Sequence, residues 1–170
     1  MQKTLPLDLT QRKAIEANIS HLSLPGLLLA GHRLVLNLEI RTLSLLTDGP
    51  TLIMEQQFSV NEIRMIVPLL EFYPSYCPYE ILLAYISSNV LTEASITQCR
   101  QCLQEAHSRG TWQQELRPIR RALTSLRSKL DRFDLGISNL RESGCSLVSL
   151  TSHIPSRSSK ECLQEALLSK

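Results

Sequence analysis

The chain has 170 residues, 43% of them hydrophobic and 20% charged, with a formal net charge of +2, which suits one domain with a real core and short terminal extensions. Its longest apolar run, Leu22 to Ala30, is interrupted by Ser23, Pro25 and Gly26, is too short to cross a bilayer, and starts too late to be a secretory h-region. Five cysteines, Cys77, Cys99, Cys102, Cys145 and Cys162, are too few and too scattered for a disulfide scaffold, so a soluble protein of a reducing, cytoplasmic interior is expected.

Charge is polarised along the chain. Residues 1 to 99 carry six Lys and Arg against nine Asp and Glu, net −3, whereas residues 100 to 170 carry twelve against seven, net +5. A cationic C-terminal half raises the expectation of a phosphate-facing surface there and of an acidic face elsewhere that could meet a protein.

In chain order, residues 1–29 read as an N-terminal arm, with a weak helix over Leu9 to Ile19 behind Thr10. From His32 the period changes. Leu34, Leu36, Leu38, Ile40, Leu43 and Leu45 recur mostly at every second position, the signature of half-buried strands. Asp48-Gly49-Pro50 predicts a turn and Thr51 to Glu55 a returning strand, giving a small antiparallel sheet. Ser59 then opens a helix as N-cap, with Glu62 completing a capping box and Ile63, Ile66, Val67 and Leu70 on one face; Pro68 should kink or shorten it. The Tyr73 to Pro78 segment breaks that helix, and Tyr79 to Ile86 starts another with Ile81, Leu82 and Tyr85 inward. Thr92 to Ser108 forms a further amphipathic helix on Ile96, Cys99, Leu103 and Ala106, stopped by Gly110.

The most informative segment follows. Pro118 suits a first helical position, and Ile119, Ala122, Leu123, Leu126 and Leu130 make one apolar stripe. The opposite face carries Arg117, Arg121, Thr124 and Ser128, edged by Arg120, Ser125 and Arg127, and no acid. Arginine clamps phosphates and base edges while hydroxyls hydrogen-bond either, so this face suits a polyanion and residues 118–130 read as a DNA-recognition helix. Asp131 to Asp134 make a turn, and Ile137 to Leu140 pairs with Ser146 to Leu150 around Glu142-Ser143-Gly144, a hairpin that presents Arg141. Residues 151–170 are a serine-rich linker and short tail, in which Cys162 to Ala166 repeats the pentapeptide Cys102 to Ala106 without matching flanks.

Leu126-Arg127-Ser128-Lys129-Leu130, Gly136-Ile137 and Leu140-Arg141-Glu142-Ser143-Gly144-Cys145-Ser146-Leu147 together resemble the end of the OmpR/PhoB-type winged-helix domain of bacterial response regulators. There the third helix ends in leucine-arginine, and after a turn the wing reads valine-arginine-glycine-any-glycine-tyrosine-any-leucine. Phe58 to Ile63 is similar to that family's first helix start, and the likeness covers residues 30–150. It implies an α+β fold: a winged helix-turn-helix with N-terminal antiparallel strands, a helical bundle with an inserted helix 92–108, and a C-terminal β-hairpin wing over 137–150. It further implies that double-stranded DNA is the partner, with Arg120, Arg121, Thr124 and Ser125 at base or phosphate contacts, Arg127 at a backbone contact and Arg141 at the wing contact. Arg117, Ser128 and Lys129 complete the expected DNA-binding set, with Lys129 a phosphate neutraliser. Binding as a homodimer on adjacent half-sites, and contact with RNA polymerase or a sensor protein, are the family's further implications. Glu142 stands where the wing has its first glycine and Cys145 where it has tyrosine, and a long insertion, Thr92 to Leu116, replaces the short loop that meets polymerase in the family. The residues upstream of the domain are too few for a receiver, so phosphorylation within this chain is not expected to control it.

Other chemistries find little footing. Cys99-Arg100-Gln101-Cys102 has redox or zinc-knuckle spacing, but a structural zinc site needs four ligands and no second close pair exists. His21, His32, His107 and His153 stand apart from any nucleophile or carboxylate set, and no glycine-rich phosphate loop occurs. Trp112, Phe72, Tyr73, Tyr76 and Tyr79 nearly all lie at helix junctions, where aromatics usually fill cores rather than stack bases. The expectation is a transcription regulator that is no enzyme and needs no cofactor or metal. The alternative is a protein-protein interaction adaptor on a winged-helix frame that no longer binds DNA.

Overall fold

The computed structural model describes residues 18–88 and 91–151. Four strands, β1 (Ile19–Leu22), β2 (His32–Asn37), β3 (Thr42–Thr47) and β4 (Leu52–Gln57), form an antiparallel meander in sequence order. Helix α1 (Val60–Phe72) follows, then the two-residue strand β5 (Cys77–Pro78), α2 (Tyr79–Ser87), α3 (Glu93–Arg109), the single turn α4 (Trp112–Glu115) and α5 (Arg117–Leu130). A 3-10 turn (Asp131–Phe133) leads into the hairpin β6 (Leu135–Leu140) and β7 (Gly144–Ser149). Helix and strand are thus mixed in an α+β arrangement, with an antiparallel N-terminal sheet and a C-terminal hairpin. No described helix is long and apolar enough to cross a membrane.

Within the strands the leucine alternation behaves as a one-sided sheet requires, whereas Ile40, read as part of it, is exposed in the turn between β2 and β3. Leu34 faces Leu45 and Leu36 faces Leu43 across the β2–β3 ladder, and Leu34, Leu36 and Leu43 are fully buried. That inner face shares one hydrophobic core with Met65, Ile66 and Leu69 of α1, Ile81 and Leu82 of α2, and Ile119, Leu123, Leu126 and Leu130 of α5.

Most element boundaries match the sequence pattern, and the departures have local causes. Ile19–Leu22 is a strand paired to β2, so pairing begins inside the segment read as an arm; the rest of the predicted Leu9 to Ile19 helix lies outside the described residues, as does the tail after Thr151. Helix α1 is not shortened by Pro68 but runs through it to Phe72, with Pro68 itself buried. Helix α3 ends at the predicted stop, Gly110 at φ +72°, and at its start Thr92 accepts from the Ser95 amide as N-cap. Trp112 packs edge-on to Tyr79 and His107, filling a helix junction.

Strand β5 had no signal of its own, since two residues cannot show a period. Cys77 pairs with Cys145 and Pro78 with Gly144, which ties the segment before α2 to the hairpin and makes a three-stranded sheet in the order β5-β7-β6. The approach is close enough to demand glycine: a Cβ on Gly144 would lie 2.0 Å from the Cys77 carbonyl oxygen. At the hairpin tip Glu142 adopts φ +60°, a left-handed conformation that costs a non-glycine residue about 1 kcal/mol. Gly144→Ala is expected to cost about 3 kcal/mol or more in urea unfolding, because the obstacle is backbone, whereas Glu142→Gly should be neutral or stabilising by up to about 1 kcal/mol. Equal melting curves for Gly144→Ala and the parent would contradict this account of the β5–β7 contact.

Candidate nucleic-acid interface

Helix α5 sits at the centre of the arrangement because its buried residues Ile119, Leu123, Leu126 and Leu130 fall four, three and four apart, a seam along one side of the helix. Pro118 occupies its first turn, where a missing amide hydrogen is harmless. The seam fixes what points outward. Arg117, Arg120, Arg121, Thr124, Ser125 and Ser128 are exposed, and Arg141 is exposed in the turn between β6 and β7.

The nine residues singled out from the sequence divide into two groups. Arg117, Arg120, Arg121 and Arg141 engage in no ion pair or side-chain hydrogen bond among the described residues, so their guanidinium groups are free to bind an external anion. The others already have internal work. Thr124 Oγ1 donates to the Arg120 carbonyl at 2.9 Å and Ser128 Oγ to the Ser125 carbonyl at 2.9 Å, which leaves both hydroxyls as acceptors on the surface. Arg127 is half-buried and donates to Asn139 Oδ1 of β6 at 2.7 Å. Asn139 Oδ1 also accepts from the Cys145 thiol at 3.4 Å, so Arg127 braces the hairpin against α5.

Ser125 and Lys129 turn away from the arginine face to a carboxylate on α1. Glu62 is 2% exposed; its Oε1 accepts from Ser125 Oγ, and its Oε2 accepts from Lys129 Nζ at 2.7 Å and from the Ser59 amide at 2.7 Å. Lys129 Nζ also donates to the Gln57 carbonyl at 3.1 Å and lies 5.3 Å from the centre of the Phe58 ring. The expectation that Lys129 is a free phosphate ligand is therefore revised: its half-buried ammonium is already paired with Glu62 and the Gln57 carbonyl. Glu62 and Asn139 went unrecognised as supports because their partners are 63 to 67 and 12 residues away, beyond the reach of any local spacing rule. Only the capping-box reading of Glu62 was available, and it is correct as far as it goes.

The four unpaired guanidiniums also lie open to solvent because the inserted helix α3 rests on α2 and α4. Between the N-terminal turns of α1 and α5 runs an open groove of about 520 Å³, rimmed by Arg117, Arg121, Gln114 and Asn61 with Glu62 at its inner side. No group of three or more metal-ligating side chains occurs among the described residues. Comparison of the chain with family models, curated proteins and solved structures gives no match.

Burial alone would raise the Glu62 carboxyl, but the hydrogen bonds from Lys129, Ser125 and the Ser59 amide, with the Lys129 charge, outweigh it and hold the group at about 2 instead of 4.5. A carboxyl depressed on folding stabilises the fold above its unfolded value and loses that contribution as pH falls towards its folded one. The contribution, of order 3 kcal/mol at neutral pH, should fade between about pH 4.5 and pH 2. Glu62→Gln is expected to lower stability by about 2 kcal/mol at pH 7 while converging on the parent near pH 2, read as urea midpoints across that range. A variant that tracked the parent at every pH would remove Glu62 from this role.

Proposed function

We propose that the chain is a sequence-specific, double-stranded DNA-binding transcriptional regulator of the winged-helix class. In this reading residues 118–130 enter the major groove as recognition helix, and the hairpin over 137–150 lies on the adjacent groove. The observation that carries it is the set of four unpaired, exposed arginines, three on one helix face and one on the neighbouring hairpin, with no acid on the helix to neutralise them. A B-DNA major groove is wide enough to admit an α-helix, and a guanidinium can grip two acceptors of a guanine or a phosphate at once. The order of elements supports the same reading: an antiparallel sheet, two helices, an inserted helix, an arginine-faced helix and a hairpin, as the OmpR/PhoB resemblance implies.

Roles follow from position. Arg121, on the centre of the exposed face, reads bases, with Thr124 Oγ1 available as an acceptor for a base amino group. Arg117, Arg120 and Arg141 neutralise phosphates and supply most of the affinity, which makes binding fall steeply with salt. Arg127 and Lys129 act through the frame, the first by bracing the hairpin and the second by holding α5 to α1.

Sites selected from a random duplex pool, followed by fluorescence anisotropy across a salt gradient, test the proposal. Arg121→Ala should lose about 1–3 kcal/mol of discrimination between selected and random duplex. Arg117→Ala and Arg141→Ala should weaken both duplexes alike and reduce the salt slope by about one each. Lys129→Ala should lower the unfolding midpoint while leaving the salt slope of the folded fraction near that of the parent. Failure to enrich any sequence, with release from heparin at very low salt, would instead mark an interaction module whose frame has no DNA role; Glu142, an exposed acid at the hairpin tip, is the feature that favours that outcome.

A further inference from the structure

The dithiol on α3 is unused by the nucleic-acid reading. Cys99 and Cys102 are three residues apart on one helix, which makes them surface neighbours with Cβ atoms about 5–6 Å apart. Both line the same cavity of about 350 Å³, walled by Leu83 and Ala84 of α2, Ser88, and Glu115 of α4. Cys102 is exposed and Cys99 half-buried, whereas Cys77 and Cys145 are fully buried. We propose that Cys99 and Cys102 are a modification site: a dithiol that small-molecule disulfides of the glutathione class oxidise reversibly to an intrahelical disulfide.

The step balances as two thiol–disulfide exchanges. The Cys102 thiolate attacks one sulfur of glutathione disulfide, that bond breaks, and one glutathione leaves as thiolate. Cys99 then gives its proton to solvent and attacks the Cys102 sulfur of the mixed disulfide, expelling the second glutathione. Two cysteine thiols are oxidised and one glutathione disulfide is reduced to two thiols. Burial, and then the neighbouring Cys102, Glu115 and Glu80, push the Cys99 thiol up, so the exposed Cys102 is the first nucleophile and Cys99 the resolving one.

Closing the bond requires Cβ atoms about 3.5–4.5 Å apart, nearer than an ideal α-helical pair. Tightening one turn towards 3-10 geometry eclipses positions three apart and supplies that approach. Helix α3 tolerates such tightening at this turn because its fully buried anchors are Ile96, Leu103 and Ala106, and residues 97 to 102 are exposed or half-buried.

The test uses the full chain, as parent and as Cys162→Ser, incubated in glutathione redox buffers, acid-quenched and peptide-mapped. A Cys99–Cys102 linkage is expected in both proteins, with a mass lower by two hydrogens and loss of both accessible thiols to a thiol-titrating reagent, reversed by excess reduced glutathione. Cys99→Ser should accumulate a stable glutathione adduct on Cys102, while its melting curve in reductant stays near the parent's. The proposal is overturned if the parent accumulates separate glutathione adducts instead of an internal bond, if Cys102 links only to Cys162, or if a linkage forms solely after the protein is unfolded.

Discussion

A single buried carboxylate fixes how α5 sits against the rest of the fold. Glu62 caps the helix to which it belongs through the Ser59 amide and simultaneously grips α5 through Ser125 and Lys129. An unpaired ionised carboxylate buried this deeply would cost several kcal/mol, so the three donors form a set in which removing one leaves the others exposed to that penalty. Hydrophobic burial along the Ile119 to Leu130 seam brings α5 against the core, but a seam of leucines is tolerant of rotation and sliding. The ionic and hydroxyl contacts at residues 125 and 129, one helical turn apart, remove that tolerance, because both reach the same carboxylate only at one register.

That constraint sorts the polar face of α5. A helical wheel assigns Ser125 an edge position and puts Lys129 near it, and by residue type both look like ligands for phosphate. Their engagement with Glu62 leaves Arg117, Arg120 and Arg121 as the cations of the helix with no ion pair or side-chain hydrogen bond among the described residues. The wheel could show which side of the helix is polar, because periodicity is a local property. It could not show which polar groups are spent inside the fold, because a partner more than sixty residues away is a tertiary fact. Most of the fold was similarly legible where it rests on short-range chemistry: the Ser59 capping box, the Gly110 stop and the leucine alternation of β2 and β3 all appear as read. Strand β5 escaped because two residues carry no pattern, and β1 escaped because its four residues follow a polar segment and precede a proline-glycine turn.

The hairpin illustrates the same division. Of its two turn-region positions, the glycine that remains, Gly144, is the one that a backbone contact requires, with the Cys77 carbonyl against its α-carbon. The position that carries Glu142 needs only a positive φ, a modest strain that the surrounding turn sustains through the Ser143 amide bonded to the Leu140 carbonyl at 3.2 Å. Sequence marks Glu142 as a departure from the winged-helix pattern and Gly144 as a match to it. Only the β5–β7 approach explains why a side chain is tolerable at 142 and would not be at 144.

Arg127 completes the frame. By donating to Asn139 it joins the last turns of α5 to β6, and Asn139 passes the connection to Cys145 on β7, whose neighbour across the ladder is Cys77 at the entrance to α2. Helix, hairpin and the start of α2 are thereby tied together, which fixes the backbone positions from which Arg121 and Arg141 project. Two cationic points on rigid supports bind a polyanion of matching spacing with little ordering cost, and bind others poorly. In the proposed DNA-binding role, selectivity would come as much from the placing of the arginines as from the arginines themselves, so Glu62 and Asn139, which hold the supports, would bear on what the exposed residues recognise.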